Sequence, residues 1–175
     1  AIRAHIDMGG LFRRQRDFQS AQRHLQEVFR SKQSVPARDL AAAYYEVGYV
    51  HYLKDEYVAA ADMMNRSAAL AKKANHHVGA DIARSVGLWA EYFHQPSETL
   101  LQRKLSHHRA ALKTCERQAA DDFLAEQWVM NSLSSLVDVC FLLKNGQLMD
   151  VYLQRLRITP WVQEYLTPGW LEKFE

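Results

Sequence analysis

Residues 41–71 read AAAYYEVGYVHYLKDEYVAAADMMNRSAALA, two amphipathic helical runs joined by a polar turn at Lys54-Asp55-Glu56. Shifted 39 residues towards the N-terminus, the stretch lays Gly48 on Gly9, Val47 on Met8, Tyr57 on Phe18 and Ala60 on Ala21. Shifted 39 the other way, Gly48 falls on Gly87, Val47 on Val86 and His51 on Ala90. Equal spacing of this kind marks a repeat architecture, in which each helix pair leaves an apolar face that only a neighbouring pair covers. The fold class expected is all-α, an array of about four antiparallel helix pairs.

Composition agrees with that reading. The chain has 175 residues, 48% of them hydrophobic, with only 7 glycines and 4 prolines, so long helices with short turns are favoured over strands. No run of 18 apolar residues and no signal-peptide pattern is present, which implies no membrane contact. The sequence begins inside a helical pattern at Ala1, as a segment of a longer protein would. A formal net charge of +2 argues against direct contact with nucleic acid. That charge is uneven: residues 1–38 hold eight Arg/Lys against three Asp/Glu, with Arg13, Arg14 and Arg16 clustered. Most such clusters are solvated surface. Cys115 and Cys140 have no C-x-x-C spacing and read as free core thiols in a reducing cytoplasm.

Taken in order, the periodicity predicts helices over about 2–15, 17–32, 37–53, 57–74, 78–93, 97–117, 121–144 and 147–157. Asp17 is the expected cap of the second helix, Ser34 ahead of Pro36 that of the third, and Ser97 with Glu98 that of the sixth. Gly146 is expected to end the seventh helix by taking a positive φ. The seventh helix carries a wide apolar arc that includes Trp128, Leu133, Leu136 and Cys140. Residues 158–175 contain two short helix starts, Thr159-Pro160-Trp161 and Thr167-Pro168-Gly169-Trp170. They read either as a cap on the open end of the array or as a linker to a further domain.

The clearest unit, with Tyr44, Val47, Gly48, Tyr57 and Ala60, resembles a tetratricopeptide repeat. So do the first, with Met8, Gly9, Phe18 and Ala21, and the third, with Val86 and Gly87. The likeness is good over 1–95 and degraded over 96–157, where Asp138 or Val139 takes the glycine place. The unit is 39 residues rather than the usual 34, similar to the longer units of kinesin light chains and of bacterial regulators that sense peptides or proteins. The resemblance implies a right-handed superhelical repeat domain over 1–157 and a binding scaffold; it names no ligand.

No catalytic motif accompanies the repeat. The chain lacks a G-x-S-x-G elbow, a Walker loop and a dinucleotide-binding glycine motif. Among eight histidines, the pairs His76-His77 and His107-His108 are neighbours that point about 100° apart on a helix, and no H-x-x-x-H occurs. Asp121-Asp122 suits the helix dipole better than acid–base work. No enzyme activity, cofactor or metal is therefore expected.

The expected functional feature is a surface. In the family, the stripe of each first helix left free by packing lines a concave groove. By the 39-residue register its columns are Ile6, Tyr45 and Arg84; Gly10, Tyr49 and Leu88; and Arg13, Tyr52 and Glu91. Tyr45, Tyr49 and Tyr52 share one helix face. The plain alternative is that they are core. Rings with polar tips beside arginines suit a protein or peptide ligand. The leading expectation is a non-catalytic protein- or peptide-binding scaffold, the regulatory or sensor segment of a larger bacterial protein. Two alternatives stand beside it: a homodimerisation element using Trp128, Trp161, Trp170 and Phe174, and a sensor of a small anion through Arg13, Arg14 and Arg84.

Overall fold

The computed structural model describes residues 1–118 and 123–158. Among them are eight α-helices and no strand: α1 (Ile2–Arg14), α2 (Phe18–Arg30), α3 (Ala37–Leu53), α4 (Tyr57–Lys73), α5 (His77–His94), α6 (Glu98–Gln118), α7 (Phe123–Leu142) and α8 (Gly146–Ile158). A 3₁₀ turn, Lys32–Ser34, precedes α3. Neighbouring helices pack as pairs, α1 on α2, α3 on α4 and α7 on α8; α3 also meets α1, α2 and α5, and α4 meets α5. The chain divides into two compact units, Ala1–Leu100 and Leu101–Glu175. The division falls inside the stretch read from the sequence as one array, 1–157. Residues 159–175, read as capping or linker helices, lie outside the described residues.

Four helix ends share one turn. After α1, α3, α4 and α7 the chain leaves the helix through Arg16, Asp55, Asn75 and Lys144, each at a φ of 54–60°. Each of these residues donates its N–H to the carbonyl three back, and the next residue donates to the carbonyl five back, as in Asp55→Tyr52 and Glu56→His51. This is the Schellman arrangement, which satisfies carbonyls that the helix end would leave open. The following residue starts the next helix; Asp17 Oδ1 accepts from Ser20 N–H at 3.0 Å and Asn145 Oδ1 from Leu148 N–H at 3.1 Å. Two expectations are corrected here. Gly146 does not take the positive φ after α7; Lys144 does, and Gly146 opens α8. Ser34 does not cap α3, because its hydroxyl donates to the Ser31 carbonyl within the 3₁₀ turn and Pro36 occupies the cap position. The expected cap of α6 is present, with Leu100 N–H donating to Ser97 Oγ at 3.3 Å.

The first unit is organised by small residues at helix contacts. A Cβ on Gly9 would lie 2.7 Å from Leu25 Cγ, so α1 and α2 meet more closely than any larger residue allows. Met64 of α4 is wholly buried between two helices. Its Cε stands 3.1 Å from the place a Cβ would take on Gly48 of α3, and its Cβ 3.2 Å from that place on Gly87 of α5. Nearby, the buried Ser67 hydroxyl donates to the Ala41 carbonyl at 2.8 Å, tying α4 to α3. Ile6, Leu25, Val28, Val35 and Ala43 form the apolar cluster under α1, α2 and α3. In the second unit, Leu133, Leu136, Val137 and Leu156 are buried, and Arg109 Nε donates to Tyr152 Oη at 2.8 Å, joining α6 to α8.

The 39-residue register survives a change of construction. α2 has 13 residues and is followed by a six-residue connection, whereas α4 has 17 and only the three-residue turn. One extra helical turn replaces the linker. Gly9 and Gly48 face the helix that follows each of them, whereas Gly87 faces α4, the helix before it.

Two outcomes are expected from these contacts. Met64→Ala leaves a cavity between two glycine faces that cannot close, and lowers stability in urea unfolding by about 2–5 kcal/mol. Lys144→Gly and Arg16→Gly relieve left-handed backbone at exposed sites, where a side chain costs roughly 1–2 kcal/mol. Each should raise stability by about 1 kcal/mol, less than the full relief because glycine loses more chain entropy on folding.

Candidate functional site

An aromatic strip runs over α3, the start of α4 and the end of α5. Tyr45, Tyr49 and Tyr52 stack along α3 with ring centroids 5.7 and 5.8 Å apart. Tyr52 continues to Tyr57 at 6.0 Å and to Phe93 at 6.1 Å. Phe93 in turn contacts Trp89 at 5.6 Å and Tyr92 at 5.9 Å. Spacings of this size are those of favourable tilted and offset aromatic pairs. Phe93 remains 46% exposed, while the three α3 tyrosines are half-buried.

Both arginines beside the strip are paired within the chain, and the Asp55 carboxylate accepts from Tyr57 Oη at 2.6 Å. Arg13 of α1 lies with its guanidinium carbon 4.5 Å above the Tyr49 ring and donates from Nε to Glu46 Oε2 at 2.5 Å. Room for that carboxylate comes from Gly10, where a Cβ would stand 3.1 Å from Glu46 Oε1. On α5, Arg84 Nη1 donates to Glu91 Oε1 at 2.9 Å and to Asn65 Oδ1 of α4 at 2.6 Å. Burial, reinforced by Tyr49, pushes the Tyr52 phenol up to about 12, and burial raises Tyr45 further. Both rings are therefore neutral phenols over the whole biological pH range.

Of the residues expected in the groove, the structure brings Arg13, Tyr45, Tyr49 and Tyr52 together. Arg84 and Glu91 pair with each other along α5. Arg13 stacks on Tyr49 rather than meeting the Tyr52 column, one turn from the expected place, because Glu46 holds its guanidinium. Leu88 is corrected: at 2% exposure it is interior, as is Ile6 at 3%, so neither offers a side chain to a ligand. The sequence reading missed Glu46, Asn65, Trp89, Tyr92 and Phe93. The aromatic run in LWAEYF was a visible signal for the last three; Glu46 and Asn65 carried none, since their roles depend on contacts between helices.

Two further features bear on the alternatives. Arg13 and Arg84, offered as an anion site, are already neutralised by Glu46 and Glu91. Trp128, offered for self-association, is 6% exposed and packs at 6.1 Å from the His108 ring in the second unit; Trp161, Trp170 and Phe174 lie outside the described residues. Cys115 and Cys140 are buried and form no disulfide among the described residues, and burial pushes the Cys140 thiol up. Among the described residues there is no group of three or more metal-ligating side chains, and no helix long and apolar enough to cross a membrane.

The second unit holds a buried basic pair, Lys104 and His108, one turn apart on α6. Lys104 Nζ stands 3.1 Å from His108 Nε2, and because the amine donates, Nε2 accepts. Burial lowers the lysine, against a partial restoring pull from Asp138. Burial, with the Lys104 and His107 charges, lowers His108 to about 2.

No protein-family model, curated protein or solved structure matches the chain. The functional reading therefore rests on geometry.

The His108 environment sets a pH dependence. In the unfolded chain a histidine titrates near 6.5, so between about 2 and 6.5 the unfolded state binds the proton that the folded state refuses. Stability contributed above pH 6.5 is lost as pH falls through that window, with a slope of up to about 1.4 kcal/mol per pH unit. His108→Leu should flatten the acid limb of a denaturation series between pH 6.5 and 4, whatever it does to stability at pH 7.

Proposed function

We propose that this chain is a non-catalytic protein- or peptide-binding scaffold, a tetratricopeptide-like segment that serves a regulatory or sensor role in a larger protein. The observation that carries the reading is the aromatic strip. Seven rings from three helices form one connected surface, and the two arginines beside it are paired within the chain. Rigid aromatic residues with polar tips present large contact area at little cost in side-chain entropy, and such residues dominate binding energy at interfaces. The internal ion pairs hold the arginines in place and Asp55 adds a carboxylate beside Tyr57, so the face suits an apolar or amphipathic segment more than an acidic one. The contacts of α3 with both α1 and α5 support first helices lying side by side, the arrangement on which a superhelical groove depends.

Panning random peptides displayed on phage against the chain tests the proposal. Enriched peptides should bind the wild type and lose at least tenfold in affinity to the double variant Tyr52→Ala, Phe93→Ala, with the far-UV circular dichroism unchanged. Enrichment of no peptide, or affinities indifferent to both substitutions, would overturn the assignment of the strip.

A further inference from the structure

One end of the aromatic strip repeats, without its cation, an arrangement that the chain completes at the other end. Over Tyr49 the Arg13 guanidinium carbon lies 4.5 Å from the ring centroid, and Nε donates to the Glu46 carboxylate at 2.5 Å. A single guanidinium there meets a ring face and a carboxylate together. The same two components stand at the turn between α3 and α4. Tyr52, Tyr57 and Phe93 contact one another pairwise, with centroids 5.6–6.1 Å apart, and the Asp55 carboxylate accepts from Tyr57 Oη at 2.6 Å. Among the described residues no arginine or lysine stands over these three rings or bonds to Asp55. We propose, on the peptide-binding reading of the strip, that this end takes an arginine side chain of the partner peptide, its guanidinium laid on the Tyr57 and Phe93 rings and bonded to Asp55.

Three observations select this occupant. The first is charge. The basic groups around the site are engaged elsewhere, Lys54 with Glu56 at 2.6 Å, Arg13 with Glu46 and Arg84 with Glu91, so Asp55 has a phenol as its partner and its negative charge stays at the rim of electron-rich rings. That combination attracts a cation and repels an acidic residue. The second is access with a fixed geometry. Phe93 is 46% exposed and Asp55 is exposed, whereas Tyr52 lies half-buried between them as a floor. Asp55 is held by its turn, at a φ of 60° with its N–H donating to the Tyr52 carbonyl at 3.2 Å, and its bond from Tyr57 Oη fixes that ring. Binding therefore has little side-chain freedom left to remove on this side of the contact. The third is shape. A guanidinium is planar, so it stacks on a ring while its N–H groups, in its own plane, reach a carboxylate at the ring edge; an ammonium is a strongly hydrated point charge that does only one of these well. Arg13 on Tyr49 and Glu46 shows that the strip accommodates that shape.

The test uses the full chain and fluorescein-labelled, blocked hexapeptides of leucine and serine in which one central position is either arginine or citrulline, read by fluorescence polarisation. Citrulline keeps the planar shape and removes the charge. The arginine peptides should bind about tenfold more tightly than their citrulline counterparts, the combined size of an exposed cation–ring contact and an exposed ion pair. That preference should fall at least threefold in Asp55→Asn and in Phe93→Leu, and shrink with added salt. Asparagine suits the left-handed backbone at position 55 and keeps an acceptor for Tyr57 Oη, so this variant retains the fold, as circular dichroism should show. Arginine and citrulline peptides that bind alike, or a preference that survives Asp55→Asn, overturn the proposal. If those peptides still lose tenfold to Tyr52→Ala, Phe93→Ala, the arginine site falls while the function proposed for the strip stands. No binding by either peptide at millimolar concentration also overturns the arginine site, and the panned peptides then decide the strip by themselves.

Discussion

The first unit depends on the close approach of three helices around one methionine. Met64 is wholly buried with the bare backbone of Gly48 and Gly87 on either side of it. Dispersion contacts fall off within a fraction of an ångström, so a Cβ at either glycine, which would force a shift of a few tenths of an ångström, weakens the packing there. With α4 held in this way, α3 and α5 have a set spacing. That spacing brings Phe93 within reach of Tyr52 and Tyr57, and so makes one aromatic surface out of three helices.

The turns make the same geometry repeatable. Each Schellman end satisfies its carbonyls and hands the chain directly to the next helix within three residues. A short turn of this kind leaves two helices little choice but to lie antiparallel and adjacent. The cost is a left-handed residue, at these four turns Arg16, Asp55, Asn75 or Lys144 rather than glycine, and it is offset by the backbone hydrogen bonds made there. The connection between α2 and α3 is different. It is longer and carries Val35 into the apolar cluster, so it acts as part of the core as well as a link.

Electrostatics then refine the surface that packing creates. Arg13 is held by Glu46, which a Cβ on Gly10 would crowd at 3.1 Å. The guanidinium covers one face of Tyr49. In the second unit the opposite strategy operates. Lys104 and His108 are taken out of water, and both are driven towards their neutral forms by that burial. A buried basic pair couples the stability of this unit to pH, whereas Arg13 of the first unit, bonded to Glu46, has its pKa raised and keeps its charge.

The helices, most of their boundaries and the repeat register were legible in the sequence, because apolar periodicity and small residues at constant spacing are local properties of the chain. Asp17 and Ser97 as caps, and Gly9 and Gly48 as points of close approach, belong to the same class. What the periodicity could not convey was which neighbour each face meets. Gly87 occupies the same register place as Gly48 yet faces the preceding helix, and Leu88 beside it lies in the interior. The Glu46 partner of Arg13 and the Asn65 partner of Arg84 both join residues from separate helices. A one-dimensional pattern records the face on which a side chain sits. Only the packing of helices against one another decides what that side chain touches.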